Sequence, residues 1–147
     1  MNTQSLTKTF AVDQTPSEVF AAINNVRGWW SGDIQGDTDR LGAEFTYRNQ
    51  DVHRSTQKIT ELAPGKRIVW QVIDSDLAFL KERNEWNGTK IVFDISKKKD
   101  RTEVTFTHEG LVPDHECFDV CSNAWGFYIT DSLRKLITSG QGQPNRD

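Results

Sequence analysis

From Phe118 onward, apolar residues recur at three- and four-residue steps, through Cys121, Trp125, Tyr128, Ile129, Leu133 and Leu136, which sets them along one side of a helix. Pro113 and Asp114 are start signals and Gly140 is a stop, so the pattern predicts one long C-terminal helix of about 35 Å at 1.5 Å per residue. A helix of that length with one bulky apolar stripe needs a concave partner, and the upstream pattern supplies strands. Leu6 to Val12 alternates as a first strand. Thr15-Pro16-Ser17-Glu18 combines capping-box spacing with proline at the first helical position, and Val19, Phe20 and Ile23 form the inward face of the short helix it opens. Val26 to Trp30 reads as a second short helical turn ending in a tryptophan pair, and Ser31 to Gly42 carries no period.

The middle of the chain reads as an antiparallel meander. Ala43 to Arg48 sets Phe45 and Tyr47 on one face; a long polar strand runs from about His53 to Leu62; Ala63 to Lys66 is a turn; Arg67 to Ile73 aligns Ile68, Trp70 and Val72. Asp74 to Gly88 embeds Leu77, Phe79, Leu80 and Trp86 in charge, which suits a partly ordered flap better than a strand. Lys90 to Ser96 aligns Ile91, Phe93 and Ile95, and Thr102 to His108 aligns Val104, Phe106 and His108. The expected fold class is therefore α+β: a curved antiparallel sheet of about six strands, with the first strand at an edge, gripping the C-terminal helix, and two short helices after the first strand.

With 147 residues, one domain spanning 1–147 is expected, its ordered core about 5–140 and its tail 141–147 frayed. A net charge of -3 with both signs interspersed leaves no broad basic footprint, so nucleic acid is not an expected partner. The one basic run, Lys97 to Lys99, reads as a solvated hairpin turn that discourages edge pairing. No apolar run approaches the ~20 residues that cross a bilayer and no leader precedes the first strand, so membrane insertion is not expected and a cytoplasmic location is. The cysteines, Cys117 and Cys121, stand four apart, where a regular helix does not aim them for a disulfide, and with His115 alone nearby they lack a metal-site spacing. Unbridged, at least half-buried thiols are the expectation, with no metal and no cofactor.

The order of elements, the T-P-S-E-V-F-A-A-I helix start, the Trp29-Trp30 pair, the turn E-L-A-P-G-K-R-I-V-W, the F-T-H-E-G-L strand end and the W-G-F-Y-I-T-D-S-L-R-K-L helix together resemble the START-like helix-grip superfamily. Within it the chain is similar to the branch homologous to the activator of heat-shock-protein-ninety ATPase, grouped with polyketide-cyclase-like proteins. The likeness runs from about residue 5 to residue 140. It implies a fold that keeps a pocket between sheet and helix, with a chaperone as a further candidate partner. A second, N-terminal domain like that of the eukaryotic co-chaperone is not expected in these 147 residues. Where the family helix commonly places Gly before its Trp, Ala124 precedes Trp125 and Gly126 follows it.

Five tryptophans raise the question of packing against binding. Burying one aromatic side chain contributes ~1.5–3 kcal/mol, which explains any one of them as core. Together they suit a hydrophobic cavity walled by Trp29, Trp30, Phe45, Tyr47, Trp70, Phe93, Phe106, His108, Cys121, Trp125 and Tyr128. The leading expectation is a domain that binds a hydrophobic or lipid-like small molecule and is not an enzyme; hiding ~300 Å² of apolar ligand surface would supply about 7 kcal/mol before association costs. Two alternatives stand beside it. One is a cyclase- or hydrolase-like enzyme with His108 as base and Tyr47 or Tyr128 orienting a carbonyl; the other is a chaperone-associated interaction domain. No catalytic residue is assigned, because the chain has no nucleophile elbow, phosphate loop, dinucleotide fingerprint or H-E-x-x-H.

Overall fold

The computed structural model describes residues 5–30, 33–50, 52–113 and 115–144. Ser31, the proposed helix-start residue Asp114 and the last three residues of the tail lie outside the described residues. Strand β1 (Leu6–Val12) leads into helix α1 (Pro16–Asn24) and a 3₁₀ turn at Val26–Gly28. Strands β2 (Asp33–Gln35), β3 (Glu44–Asn49), β4 (His53–Ala63), β5 (Arg67–Leu77), β6 (Lys90–Lys98) and β7 (Arg101–Glu109) follow. The C-terminal helix is continuous but composite: α2 (Phe118–Trp125), a π-helical stretch Gly126–Leu133, and α3 (Arg134–Ser139).

The seven strands form one antiparallel sheet in the order β1-β7-β6-β5-β4-β3-β2. The edge position of β1 agrees with the sequence reading. The additional strand, β2, lies in the stretch read as aperiodic, and three residues are too few to show a two-residue period. Strand β5 runs past Ile73 to Leu77, since His53 to Thr56 on β4 continue to pair with Leu77 to Asp74. Register shifts at Thr56/Gln57 and Ile59/Glu61 break the β4–β5 ladder, and such bulges bend and twist a strand. They help give the sheet its hollow.

Alternation places Phe45 and Tyr47, Ile68, Trp70 and Val72, Ile91, Phe93 and Ile95, and Val104, Phe106 and His108 on the buried face. Helix α1 opens on its expected capping box, with the Glu18 N–H donating to Thr15 Oγ1 at 3.2 Å and the Thr15 N–H to Glu18 Oε1 at 3.1 Å. The long helix begins later than expected, at Phe118, and closes as expected at Gly140, whose φ of 83° is the left-handed cap glycine adopts without strain. Cys117 is the N-cap of α2 and its carbonyl accepts from the Cys121 N–H at 2.7 Å; the two Cα atoms lie 5.5 Å apart, within the range a disulfide spans. The two sulfurs are joined as a disulfide. That corrects the expectation of unbridged thiols, which took the four-residue spacing to hold the two side chains out of reach.

Residues 117, 121, 125, 129, 133 and 137 are all buried, a strict four-residue step. In a pure α-helix each such step overshoots the 3.6-residue turn by about 40°. The wider i→i+5 turns of Gly126–Leu133 undershoot it, so the stripe stays on the sheet. The tail is tied down at its start, where the Gln143 N–H donates to Ser132 Oγ at 2.8 Å. Ser132 in turn donates to the Trp29 carbonyl at 2.7 Å. A Cβ on Gly142 would collide with the Gly28 carbonyl, so glycine permits this close passage.

Candidate functional site

Most of the space between helix and sheet is solid aromatic packing. Trp29 stacks on Trp70 with ring centroids 6.3 Å apart and donates its indole N–H to the Ile23 carbonyl at 3.0 Å. Phe45 and Phe93 meet Trp70 edge-on at 4.9 and 5.1 Å, and Phe106 meets Phe93 at 5.3 Å and Trp125 at 4.8 Å. Trp29, Phe45, Trp70, Phe93 and Phe106 thus stand behind the cavity wall. The hollow that remains measures about 180 Å³ and sits toward the N-terminal end of the long helix.

Five segments line it. The segment after the 3₁₀ turn supplies Trp30; β3 supplies Tyr47 and Asn49; Val52 and His53 come from the β3–β4 connection and the start of β4; α2 and the turn after it supply Val120, Cys121, Ala124, Trp125 and Tyr128. The loop from residue 78 to 88, between β5 and β6, adds Phe79 and Trp86. Trp30 lies flat on Tyr47, centroids 4.0 Å apart and planes 6° apart, and tilts against Trp125 at 5.1 Å. Trp86 stacks on Trp125 at 5.9 Å. The rim is apolar and open to solvent at Val52, Phe79 and Val120.

Of the residues expected from the sequence to wall a cavity, Trp30, Tyr47, Cys121, Trp125 and Tyr128 line this one. Asn49, Val52, His53, Phe79, Trp86, Val120 and Ala124 were not anticipated. Phe79 and Trp86 belong to the stretch read as a flap, and two large aromatic residues among charges there were a usable signal. That flap is anchored. Glu85 accepts from the backbone N–H groups of Glu116 and Cys117 at 3.1 and 3.0 Å, and Glu116 accepts from the Lys81 N–H at 2.9 Å. A carboxylate at a helix N-terminus satisfies orphan donors and meets the positive end of the dipole.

His108 is fully buried and does not line the cavity. Trp125 Nε1–H, which can only donate, gives its proton to His108 Nδ1 at 3.1 Å. The Thr89 hydroxyl donates to the Trp86 carbonyl at 2.6 Å, so at 2.8 Å it accepts from His108 Nε2–H. Both partners select the Nε2–H tautomer. Burial first, then the charges of His53 and His115, pull the imidazole pKa down to about 3. With its lone pair occupied, His108 holds Trp125 against the root of the flap and has no nitrogen to offer a substrate. The enzyme reading that cast it as general base loses its base.

His53 is the contrasting histidine. Its ring meets Tyr47 and Trp86 edge-on at 4.9 and 4.7 Å, and its Nε2 is buried without a hydrogen-bond partner. Burial pulls its pKa down to about 4. Trp86 Nε1 is likewise buried without a partner. Among the described residues lining the hollow there is no Lys, Arg, Asp or Glu. No group of three or more His, Cys, Asp or Glu that could hold a metal occurs among the described residues, and no described helix is long and apolar enough to cross a membrane.

Comparison with known proteins bears on this arrangement. A family model described as Activator of Hsp90 ATPase homolog 1-like protein matches residues 13–138. The solution structure of the Aha1 dimer from Colwellia psychrerythraea superposes with a TM-score of 0.75 at 23% identity, covering 95% of this chain and 99% of that one. CalU16 from Micromonospora echinospora gives 0.64 at 15% identity, over 90% of this chain and 74% of its own. DynU16, from the dynemicin biosynthetic locus, gives 0.66 at 13% identity, over 93% of this chain and 48% of its own. At those identities the likeness is one of fold. No protein of curated function matches the sequence.

Proposed function

The chain belongs to the family of Activator of Hsp90 ATPase homolog 1-like proteins, within the START-like helix-grip superfamily, and from that premise we propose that it is a binding domain for a small, uncharged, mostly apolar molecule. The observation that carries this reading is the aromatic-walled hollow of about 180 Å³ with its solvent-facing apolar rim at Val52, Phe79 and Val120. An apolar cavity of about 150 Å³ takes up benzene, so this one suits a guest of about one ring. Such a guest hides ~200 Å² and gains about 5 kcal/mol before association costs, less than the larger ligand expected from the sequence. Weak, size-selective binding is therefore the expected behaviour. A charged guest would lose its hydration and meet no fixed counter-charge.

Ala124 supplies the test. It is exposed, sits on α2 and lines the hollow, so Ala124→Phe projects a ring into the cavity at little cost to the core. Tryptophan fluorescence titrated with one-ring aromatics is expected to saturate in the parent protein and lose at least tenfold in affinity in A124F, with melting temperature nearly unchanged. Equal affinities in the two proteins would remove the hollow as the site.

The family description favours a second reading, contact with a chaperone of the Hsp90 class. Its check is the ATPase rate of a bacterial chaperone of that class with and without this protein; an unchanged rate at saturating concentration rejects it.

A further inference from the structure

The Cys117–Cys121 bridge and the hollow share a wall. Cys117 is fully buried, its N–H donates to Glu85 Oε1 at 3.0 Å, and its carbonyl accepts from the Cys121 N–H at 2.7 Å. Cys121, one turn further along α2, borders the hollow. The bridge closes a loop of sequence separation 4, and so short a loop takes less freedom from the unfolded chain than the longer loops for which a disulfide stabilises most. Its contribution to stability is correspondingly modest, so its place on the cavity wall calls for a further reason.

Resting on the binding role proposed above, we infer that this disulfide is a redox switch on the hollow: oxidised, it keeps the cavity clear for a guest, and reduced, it puts a thiol into the guest's space. Unbonded sulfur atoms repel one another at bonding distance, so reduction forces one of them to move. Cys117 is enclosed and tied to the flap through Glu85, and a closely packed interior does not yield on that side. Cys121 faces unfilled volume, so its side chain takes the movement. In a hollow of about 180 Å³, room for about one ring, an intruding sulfur competes directly with the guest. The reductant is a dithiol. Its thiolate attacks one sulfur of the bridge, the other sulfur leaves as a thiolate and takes up a proton, and the dithiol's second thiolate then displaces the first cysteine, which is protonated in turn. The bridge gains two electrons and two protons, and the dithiol ends as a cyclic disulfide. Neither cysteine is exposed, but the bridge spans the start of α2, and the fraying of a helix end lets the dithiol reach it.

The experiment titrates p-cresol calorimetrically into protein oxidised with glutathione disulfide and into protein reduced with dithiothreitol, free thiols in each being counted by alkylation and mass spectrometry. No free thiol in the first and two in the second are expected, with p-cresol binding about fivefold more weakly to the reduced form, the effect of modest overpacking. Cys117→Ala cannot form the bridge and is expected to bind p-cresol equally with and without dithiothreitol, which separates the bridge from the reductant's own effects; melting curves check its fold. Free thiols that persist after oxidation, or a bridge that dithiothreitol leaves intact under native conditions, overturn the switch. So do equal p-cresol affinities in the two redox forms, or a Cys117→Ala protein that responds to dithiothreitol as the parent does; each of these leaves the binding role standing. If p-cresol binds neither form, the binding role falls and the switch is judged on the guest-free protein. Indole resonances of Trp30 and Trp86, which line the hollow with Cys121, then shift on reduction if the thiol enters it, and unchanged resonances overturn the switch as well.

Discussion

His53, half-buried, and His108, fully buried, lie on the inner side of the sheet, and their surroundings give them different work. His108 spends both ring nitrogens on protein partners and fastens Trp125 to the flap root. His53 Nε2 is buried without a hydrogen-bond partner. Each is held neutral, with a folded pKa of about 3 for His108 and about 4 for His53 against an ordinary value of 6.5. As pH falls below 6.5, the unfolded chain takes up two protons that the folded protein refuses, so stability declines; above 6.5 the two residues contribute no slope. The decline is about 1.4 kcal/mol per pH unit for each histidine, ending near pH 4 for His53 and near pH 3 for His108. Urea unfolding from pH 7 to 4 is expected to show His53→Phe losing less stability than the parent by about that slope, while being no less stable at pH 7. Parallel curves would contradict the assignment of His53 as a buried neutral group. The sequence singled out His108, whose strand phase points it inward beside Val104 and Phe106, yet phase alone cannot show that its partners are already satisfied. His53 passed as the first residue of a polar strand, because nothing local marks the aromatic rings that enclose it.

Among the elements, the flap and the long helix depend on each other. The flap carries Phe79 and Trp86 over the cavity, and Glu85 and Glu116 stitch it to the start of α2. Glu85→Ala removes the acceptor for two helix N-terminal amides and is expected to cost about 1 kcal/mol. Hydrogen exchange should then quicken about fivefold at residues 78–88 and 116–118 and stay unchanged in β6 and β7. Acceleration spread evenly over the sheet would show that the pair supports the whole fold instead. Strands with clean alternation, such as β6 and β7, were legible because one face is packed and the other wet. The flap was not, since its order comes from carboxylates reaching a helix 31 and 32 residues away in the chain. The π-helical stretch had a visible cause, the four-residue step from Cys121 to Ile137, which neither a 3.5- nor a 3.6-residue repeat maintains.

At the scale of the molecule, the architecture was legible nearly complete: strand, short helices, antiparallel meander and gripping helix. The size of the cavity was not, because it is what remains after Trp29, Trp70, Phe45, Phe93 and Phe106 have packed, and a residual volume depends on how those rings interlock. Among the described residues the hollow beneath the flap measures about 180 Å³, a volume that suits the one-ring guest proposed above. The described residues of the cavity wall include no Lys, Arg, Asp or Glu, which supports the proposal of an uncharged guest. The most direct test of the binding claim is the set of nuclear Overhauser contacts between the methyl protons of bound p-cresol and the protein. Contacts to the Val52 and Val120 methyls and to the rings of Trp86 and Trp125 are the expected result, whereas contacts confined to the outer apolar residues Leu41 and Phe127 would contradict it.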